Sequence, residues 1–427
     1  MEHTSTLISS FSEGAYDNLL ADIYVDTGLL DYQRQRYIEA IRSYIQCFGE
    51  GEAAIYSAPG RSEIGGNHTD HQHGQVLAAG INLDAIAVVC PTSDSLIRIK
   101  SDGYDMITID TASPCEPMES EKESTISLIR GVVEGMRRHG HALGGFQAYI
   151  TSDVLIGAGL SSSAAFEVLI GTILSGLYND MKVSPIEIAI ISQYAENVYF
   201  GKPCGLMDQM ACSVGSLVHI DFKDTANPAV EKVEFDLERA GYSLCITDTK
   251  GSHADLTADY AAVPAEMKAV AELLGKSVLV ELTEDMVMDN ITKLRQTLGD
   301  RAVLRALHFY EENKRVETEV SALKKGNIDL FLNTVKASGA SSFQYLQNVY
   351  TNHDITSQNM SVALAVSDIK LGADGVCRVH GGGFAGTIQA FVRNTAVEEY
   401  RSAMDKVFGE HSCKALKIRK YGGMKVL

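Results

Sequence analysis

The chain has 427 residues, 37 Lys+Arg against 55 Asp+Glu, a formal net charge of −18, and 45 % hydrophobic and 22 % charged residues. This composition excludes a disordered or collagen-like chain, and the length allows two or three domains with sizeable cores. The excess acid repels phosphate backbones and the densest basic stretch, 414–425, is short, so nucleic acid is not an expected partner. The eight cysteines are scattered without a C-x-x-C pair and read as small hydrophobes of a reducing compartment. The first residues lack the basic and apolar regions of a secretory leader, and the apolar stretch 155–178 is broken by Ser161–Ser163 and Glu167. The expectation is a cytoplasmic protein with no membrane partner.

In chain order, residues 1–35 read as an accessory helical lead-in, with Leu19, Leu20, Ile23 and Tyr24 at helical spacing. Residues 53–58 read as a strand entering a Pro-Gly turn, 76–90 as strands, and 146–154 as a strand before a glycine-rich turn. Ala165, Leu169, Ile173 and Leu177 then mark one helix face. Ser184, Pro185 and Glu187 form an N-cap, N1 and N3 set, a capping box, with the helix running to about Phe200 and Gly201 at C′. Residues 242–248 read as a strand, 259–371 as helices, 375–380 and 387–392 as strands, followed by a helix and a final strand. Strands and helices mix without regular β-α-β spacing, which predicts an α+β protein of two domains divided near 215–240.

Four segments could carry chemistry. Gly157, Ala158, Gly159, Leu160, Ser161, Ser162 and Ser163 lie between a predicted strand and a predicted helix. Glycines admit close backbone approach, and the helix start offers N–H groups to an anion, which suits a nucleoside triphosphate; a packed small-residue turn is the alternative. Gly275-Lys276-Ser277 is no phosphate loop, because position 270 is Val. Residues 58–74 hold His68, Asp70, His71 and His73 without an i, i+4 His pair, so they suit a polyhydroxylated ligand or a solvated turn better than a metal. Glu196 and Asp208 flank a Gly/Pro break and could hold Mg²⁺ and a nucleophilic hydroxyl, unless Glu196 is simply a surface helix residue. Residues 379–386 carry four glycines ahead of a strand, for close approach to a ligand or loop, or as a turn.

Together and in this order, over residues 37–420, these segments resemble the galactokinase branch of the GHMP small-metabolite kinases. Gly60, Arg61, Gly66, His68, Thr69 and Asp70 match its Gly-Arg-Val-Asn-Leu-Ile-Gly-Glu-His-Thr-Asp pattern, and 157–164 match its Gly-(small)-Gly-Leu-Ser-Ser-Ser-Ala pattern. Ala195-Glu196 with 203–209, and 381–386 with Ala385 substituted, are similar to two further motifs; Asp248-Thr249, His253 and Tyr260 match a further spacing. The resemblance implies an N-terminal domain like ribosomal S5 domain 2 (37–225) behind the accessory segment 1–36, a ferredoxin-like C-terminal domain (226–427), and an active site between them. It implies ATP and Mg²⁺, and a monomer or weak homo-oligomer.

The resemblance also implies roles. Asp208 is the base or orienter at a sugar's anomeric hydroxyl, with Arg61 its partner. Residues 157–163 and Ser101 contact ATP, and Ser163 and Glu196 bind the metal. Asn67, His68, Thr69, Asp70, Gly205 and Tyr260 face the sugar. The family's asparagine and glutamate at positions 63 and 67 are Glu63 and Asn67 here, Ser62 and Gly65 also depart, and 261–265 replace an arginine pair. In the family the glutamate at 67 accepts from a sugar 6-hydroxyl, so Asn67 opens the alternative of galacturonate or another C6-modified hexose beside galactose. A sugar- and ATP-binding sensor without turnover is the alternative of a different class. Glu63, two residues from Arg61, is a candidate partner for it.

Overall fold

The computed structural model describes residues 1–154, 159–251 and 256–427. Strand β1 (Glu2–His3) leads into helices α1 (Thr4–Ser12), α2 (Asp17–Tyr24) and α3 (Leu30–Phe48), and then β2 (Glu52–Gly65), β3 (Gln75–Pro91), β4 (Leu96–Ser101) and β5 (Ile107–Asp110) follow. After α4 (Thr125–Arg138) come β6 (Phe146–Ser152), α5 (Ser162–Tyr178), α6 (Pro185–Tyr194), α7 (Met207–Val214), β7 (Leu217–Asp221) and β8 (Ala229–Val233). These strands make one sheet in the order β1-β2-β3-β6-β4-β5, with β7 and β8 added along the first half of β3. Residues 76–90 are thus part of one 17-residue strand, whose early half pairs with β7 and whose late half pairs with β6.

Both faces of that sheet are covered, and the strand period of two shows how. Ala54, Tyr56, Ala87, Val89 and Ala148 point to the core shared with α4 and α5. Their neighbours Ala53, Ile55, Ile86, Val88 and Tyr149 point the other way, onto Leu7, Leu20, Ile23, Tyr37 and Ile41 of the first three helices. The predicted lead-in is therefore a full layer of the fold and extends to residue 48. Asp84, buried within β3, joins the layers: it accepts from Arg36 (2.6 Å), Arg419 (2.8 Å), Tyr24 (2.9 Å) and Ser57 (2.5 Å).

The chain then forms β9 (Tyr242–Asp248), helices α8 (Thr257–Leu273), α9 (Glu284–Asp289), α10 (Ile291–Leu298), α11 (Asp300–Lys324), α12 (Ile328–Ser341) and α13 (Asn359–Leu371), then β10 (Gly375–Val379), β11 (Thr387–Arg393), α14 (Val397–Phe408) and β12 (Cys413–Leu416). The second sheet is antiparallel in the order β10-β11-β9-β12, the ferredoxin-like arrangement, with α13 and α14 packed on it. The final strand β13 (Met424–Lys425) returns to the first sheet and pairs with β2.

Ser184 caps α6 through the N–H of Glu187 (3.1 Å) with Pro185 at N1. Only half of the capping box forms, because the Glu187 carboxylate faces His139 and His141, both at 2.9 Å. The helix runs on as a π-helical turn, Ala195–Phe200, and stops at Gly201 with φ +85°. Such a turn re-aims one side chain, and here it carries Glu196.

Candidate active site

Three sequence motifs meet at Asp208. Arg61, nearly buried at the second half of β2, grips the Asp208 carboxylate with two parallel bonds, Nε to Oδ1 at 2.7 Å and Nη2 to Oδ2 at 2.9 Å. Arg61 also donates to the carbonyl of Gly159, and Ser161 donates its hydroxyl to Asp208. The Arg61 N–H reaches Leu160 O at 3.1 Å, and a Cβ at Gly60 would lie 2.9 Å from that oxygen. Glycine at 60 is what lets the strand lie against the candidate phosphate loop. The Asp208 side chain keeps 32 % of its surface exposed, so one side of the carboxylate is open to a ligand. Burial raises its pKa, but Arg61 outweighs that and holds it below the ordinary carboxylate value.

The phosphate-loop candidates divide. Gly157 and Ala158 lie outside the described residues. Gly159 (φ +65°) sits against Thr387 of the second sheet, and Leu160 is buried. Ser161 (φ +57°) precedes the first residue of α5, so the N–H groups of Ser162 and Ser163 open the helix as an anion site. Ser101 closes β4, beside Ile150 of β6, and is not in the Arg61–Asp208 cluster.

Glu196 is almost enclosed, with Ser163 Oγ at 3.3 Å, Gln209 Nε2 at 2.7 Å, Cys204 Sγ at 3.5 Å and Lys202 Nζ at 3.9 Å. Burial first, and then the charge of Asp208, push its pKa up, with Lys202 opposing. The buried Glu167 carboxyl, also raised by burial, shares Gln209 with it. Carboxylates crowded with one distant ammonium favour an added cation. Among the described residues no group of three or more His, Cys, Asp or Glu closes around a metal. Two hard oxygens, Ser163 Oγ and Glu196 Oε1, fit Mg²⁺ held mainly by nucleotide phosphates and water.

The sugar-side candidates also divide. Asp70 lies directly on Gly205, where an added Cβ would fall 1.8 Å from Oδ2. His68 (φ +62°) donates Nε2–H to Gly382 O at 3.0 Å, which leaves Nδ1 an acceptor, and burial and His71 lower its pKa to about 3. The Tyr260 hydroxyl donates to Gly383 O at 2.6 Å, with its ring edge-on to Phe384. The Thr69 hydroxyl lies between the carbonyls of Gly66 (2.9 Å) and Gln75 (2.6 Å) inside the loop.

Asn67 is fully buried and its carboxamide is saturated by protein. It donates to Glu63 Oε1 (3.0 Å) and Gly381 O (2.7 Å), and accepts from Asn348 (2.8 Å) and Ser342 (3.2 Å). Its partner Glu63 is held by Arg378 at 2.5 Å, not by Arg61, so the suspected competition for Arg61 does not occur. Burial raises the Glu63 carboxyl to about 7 against the pull of Arg378 and Arg61.

Several residues of this region carried no sequence signal of their own. His380 accepts the Glu63 N–H at Nε2 (3.3 Å), so its Nδ1 carries the proton toward Thr387 (2.9 Å). Arg378 and His380 sit beside the 381–386 glycines, which was the available hint. Glu312 and His308 lie on α11, far from any motif.

Residues 127–216 match the GHMP kinases N terminal domain, and residues 42–91 match the galactokinase galactose-binding signature. A galactokinase of Streptomyces coelicolor is 29 % identical over 377 residues, covering 87 % of this chain and 93 % of the relative. A galactokinase of Glaesserella parasuis is 29 % identical over 357 residues, covering 83 % and 89 %. The crystal structure of Lactococcus lactis galactokinase complexed with galactose superposes with a TM-score of 0.74 at 24 % identity, covering 90 % of this chain and 98 % of that one. A mevalonate kinase follows the same fold at a TM-score of 0.59 and 15 % identity, covering 86 % and 99 %. Motifs, sheet order and these likenesses agree: the chain has the fold of these kinases, with a GHMP kinase N-terminal domain match over 127–216 and the galactokinase galactose-binding signature over 42–91.

Proposed function

We propose that this chain is an ATP-dependent sugar 1-kinase that transfers the γ-phosphoryl group of ATP to the anomeric hydroxyl of galactose, giving galactose 1-phosphate and ADP. The observation that carries the reading is the bidentate Arg61–Asp208 pair where the phosphate loop and the sugar loop meet. The shared activity of the curated relatives over most of their length supports galactose as the acceptor.

Phosphoryl transfer asks mainly for positioning and charge stabilisation. Asp208, ionised and open on one side, accepts the hydrogen bond of the sugar hydroxyl and aims its oxygen. A carboxylate with a depressed pKa is a weak base, so Asp208 orients the hydroxyl and takes its proton late. Arg61 neutralises charge on the group in transit, and the N–H groups at the start of α5 hold phosphate oxygens. Asp70 and His68 Nδ1 present acceptors to sugar hydroxyls. Mg²⁺ bound with the nucleotide would offset the phosphate charge, and Ser163 and Glu196 would hold it.

The alternative of a C6 carboxylate rested on Asn67, whose donors are occupied by Glu63 and Gly381. The sensor alternative is disfavoured by the intact Arg61–Asp208 pair. The reading includes a cytoplasmic setting, in keeping with eight free cysteines, and a monomer or weak homo-oligomer without nucleic-acid or membrane partners. The test is ADP release with Mg-ATP and galactose, galacturonate, glucose or N-acetylgalactosamine. Turnover led by galactose is expected; turnover led by galacturonate reinstates the C6 alternative, and binding of sugar and ATP without turnover establishes the sensor.

A further inference from the structure

The sugar loop is gripped from outside the segment that carries it. The N–H groups of Gly66 and Asn67 both point at Oε1 of Glu312 on α11, at 3.1 and 3.3 Å, 245 residues further along the chain in the case of Asn67. One helical turn earlier on α11, His308 donates Nε2–H to the Asn67 carbonyl at 3.0 Å. At the loop's exit, Asn313 accepts the N–H of Gln75 at 2.6 Å. A Cβ at Gly65 would fall 1.9 Å from Glu319 Oε2, so strand end and helix are in direct contact.

We propose that Glu312 is a positioning residue of the sugar site, which holds the backbone N–H groups of Gly66 and Asn67 and thereby aims His68 and Asp70. These two N–H groups precede His68, whose left-handed backbone persists only where its surroundings impose it. The direction of the His68 ring and of the Asp70 carboxylate follows from the backbone fixed at 66–67. The Glu312 carboxylate is fully buried and meets a donor on every side, with Ser338 Oγ at 2.5 Å on Oε1 and Arg315 Nε at 2.7 Å on Oε2. Burial raises its pKa, yet His308, Arg315 and Arg378 outweigh that and bring it to about 2. It is therefore a pure acceptor at any working pH. An amide of the same shape would turn an N–H₂ group toward either the loop or Arg315.

The kinetic consequence rests on the sugar-kinase reading; the contact does not. Hydrogen exchange of the peptide spanning 62–75 should accelerate in Glu312→Gln, while peptides in the middle of α11 stay protected. KM for the sugar should rise about 10- to 100-fold with KM for ATP little changed, because a small misplacement of binding groups is enough. Glu312→Gln combined with Arg315→Met frees the amide nitrogen from a facing donor, and should recover part of the sugar KM. If Glu312→Gln does not fold, Glu312→Asp, which keeps the charge but withdraws the oxygen, should show the same split. Unchanged exchange over 62–75 in the folded variant, or an equal rise of both KM values, overturns the proposal. A wild-type enzyme that leaves galactose untouched overturns the assigned substrate instead, and the exchange measurement still decides the role of Glu312.

Discussion

Asp84 lies between two arginines from opposite ends of the chain, Arg36 at 2.6 Å and Arg419 at 2.8 Å, with both guanidinium groups and the carboxylate withdrawn from water. Burial raises the Asp84 pKa, but the two arginines bring it below the ordinary value. Asp84→Asn leaves the buried Arg419 without its counter-charge and Arg36 with Asp153 alone (3.2 Å), and should cost about 3–5 kcal/mol. Denaturant unfolding of both proteins checks this. The pH sign follows from the depressed folded-state pKa. The contribution is present above the unfolded value near 4 and is lost as pH falls through the folded value. The stability gap between wild type and variant should therefore narrow only in acid.

Asp208→Asn keeps the shape of the site and removes its charge. Turnover should fall by about 10²–10³ or more, the range seen when one preorganised electrostatic group is removed. Circular dichroism should show an unchanged fold, since the Asp208 side chain is partly exposed. A variant that retains most of its turnover assigns the orienting role elsewhere.

Ser163→Ala removes one of the two hard oxygens suited to Mg²⁺, and Glu196→Gln keeps an oxygen at the other but deletes its charge. Both should raise the Mg²⁺ concentration for half-maximal rate, by about tenfold or more, with Glu196→Gln the larger effect because the lost charge outweighs a lost neutral ligand. A titration of rate against Mg²⁺ at fixed ATP reads this directly.

The two departures at positions 63 and 67 are one exchange. The family pattern places an amide at 63 and a carboxylate at 67; this chain reverses them, and the structure joins them at 3.0 Å. Asn67→Glu alone sets two buried carboxylates against each other and should destabilise by about 3 kcal/mol or more. Glu63→Asn alone leaves Arg378 without its carboxylate. The double variant restores one amide and one carboxylate, and a double-mutant cycle should return a favourable coupling energy of about 1–3 kcal/mol.

Much of this was legible in the residues because local chemistry fixed it. The strand 242–248 coincides with its sequence limits, since its apolar residues serve a single sheet. Ser184 capped as its spacing requires, yet Glu187 turned to His139 and His141, a choice made by neighbours remote in sequence. The pairing of Arg61 with Asp208 was implied by the family resemblance, whereas the Ser161 contact with Asp208 was not anticipated. Nor was the saturation of Asn67, because its partners Gly381, Ser342 and Asn348 lie about 300 residues away, and a buried amide looks the same in sequence as an exposed one. Helical spacing in 1–35 foretold helices but not the sheet face beneath them, which only the alternation in β2 and β3 reveals.

The return of β13 to β2 has a consequence for biosynthesis. Arg419 reaches Ser57 across 362 residues, and Val426 joins the core beneath the first helices. The first sheet thus lacks one of its strands and a buried counter-ion until residues 419–426 have been translated. At about 5–20 residues per second the ribosome leaves that sheet waiting for tens of seconds, with apolar surface for chaperones to shield. The sheet to which β2 belongs, though its strands are made early, is among the last parts of this fold to be finished.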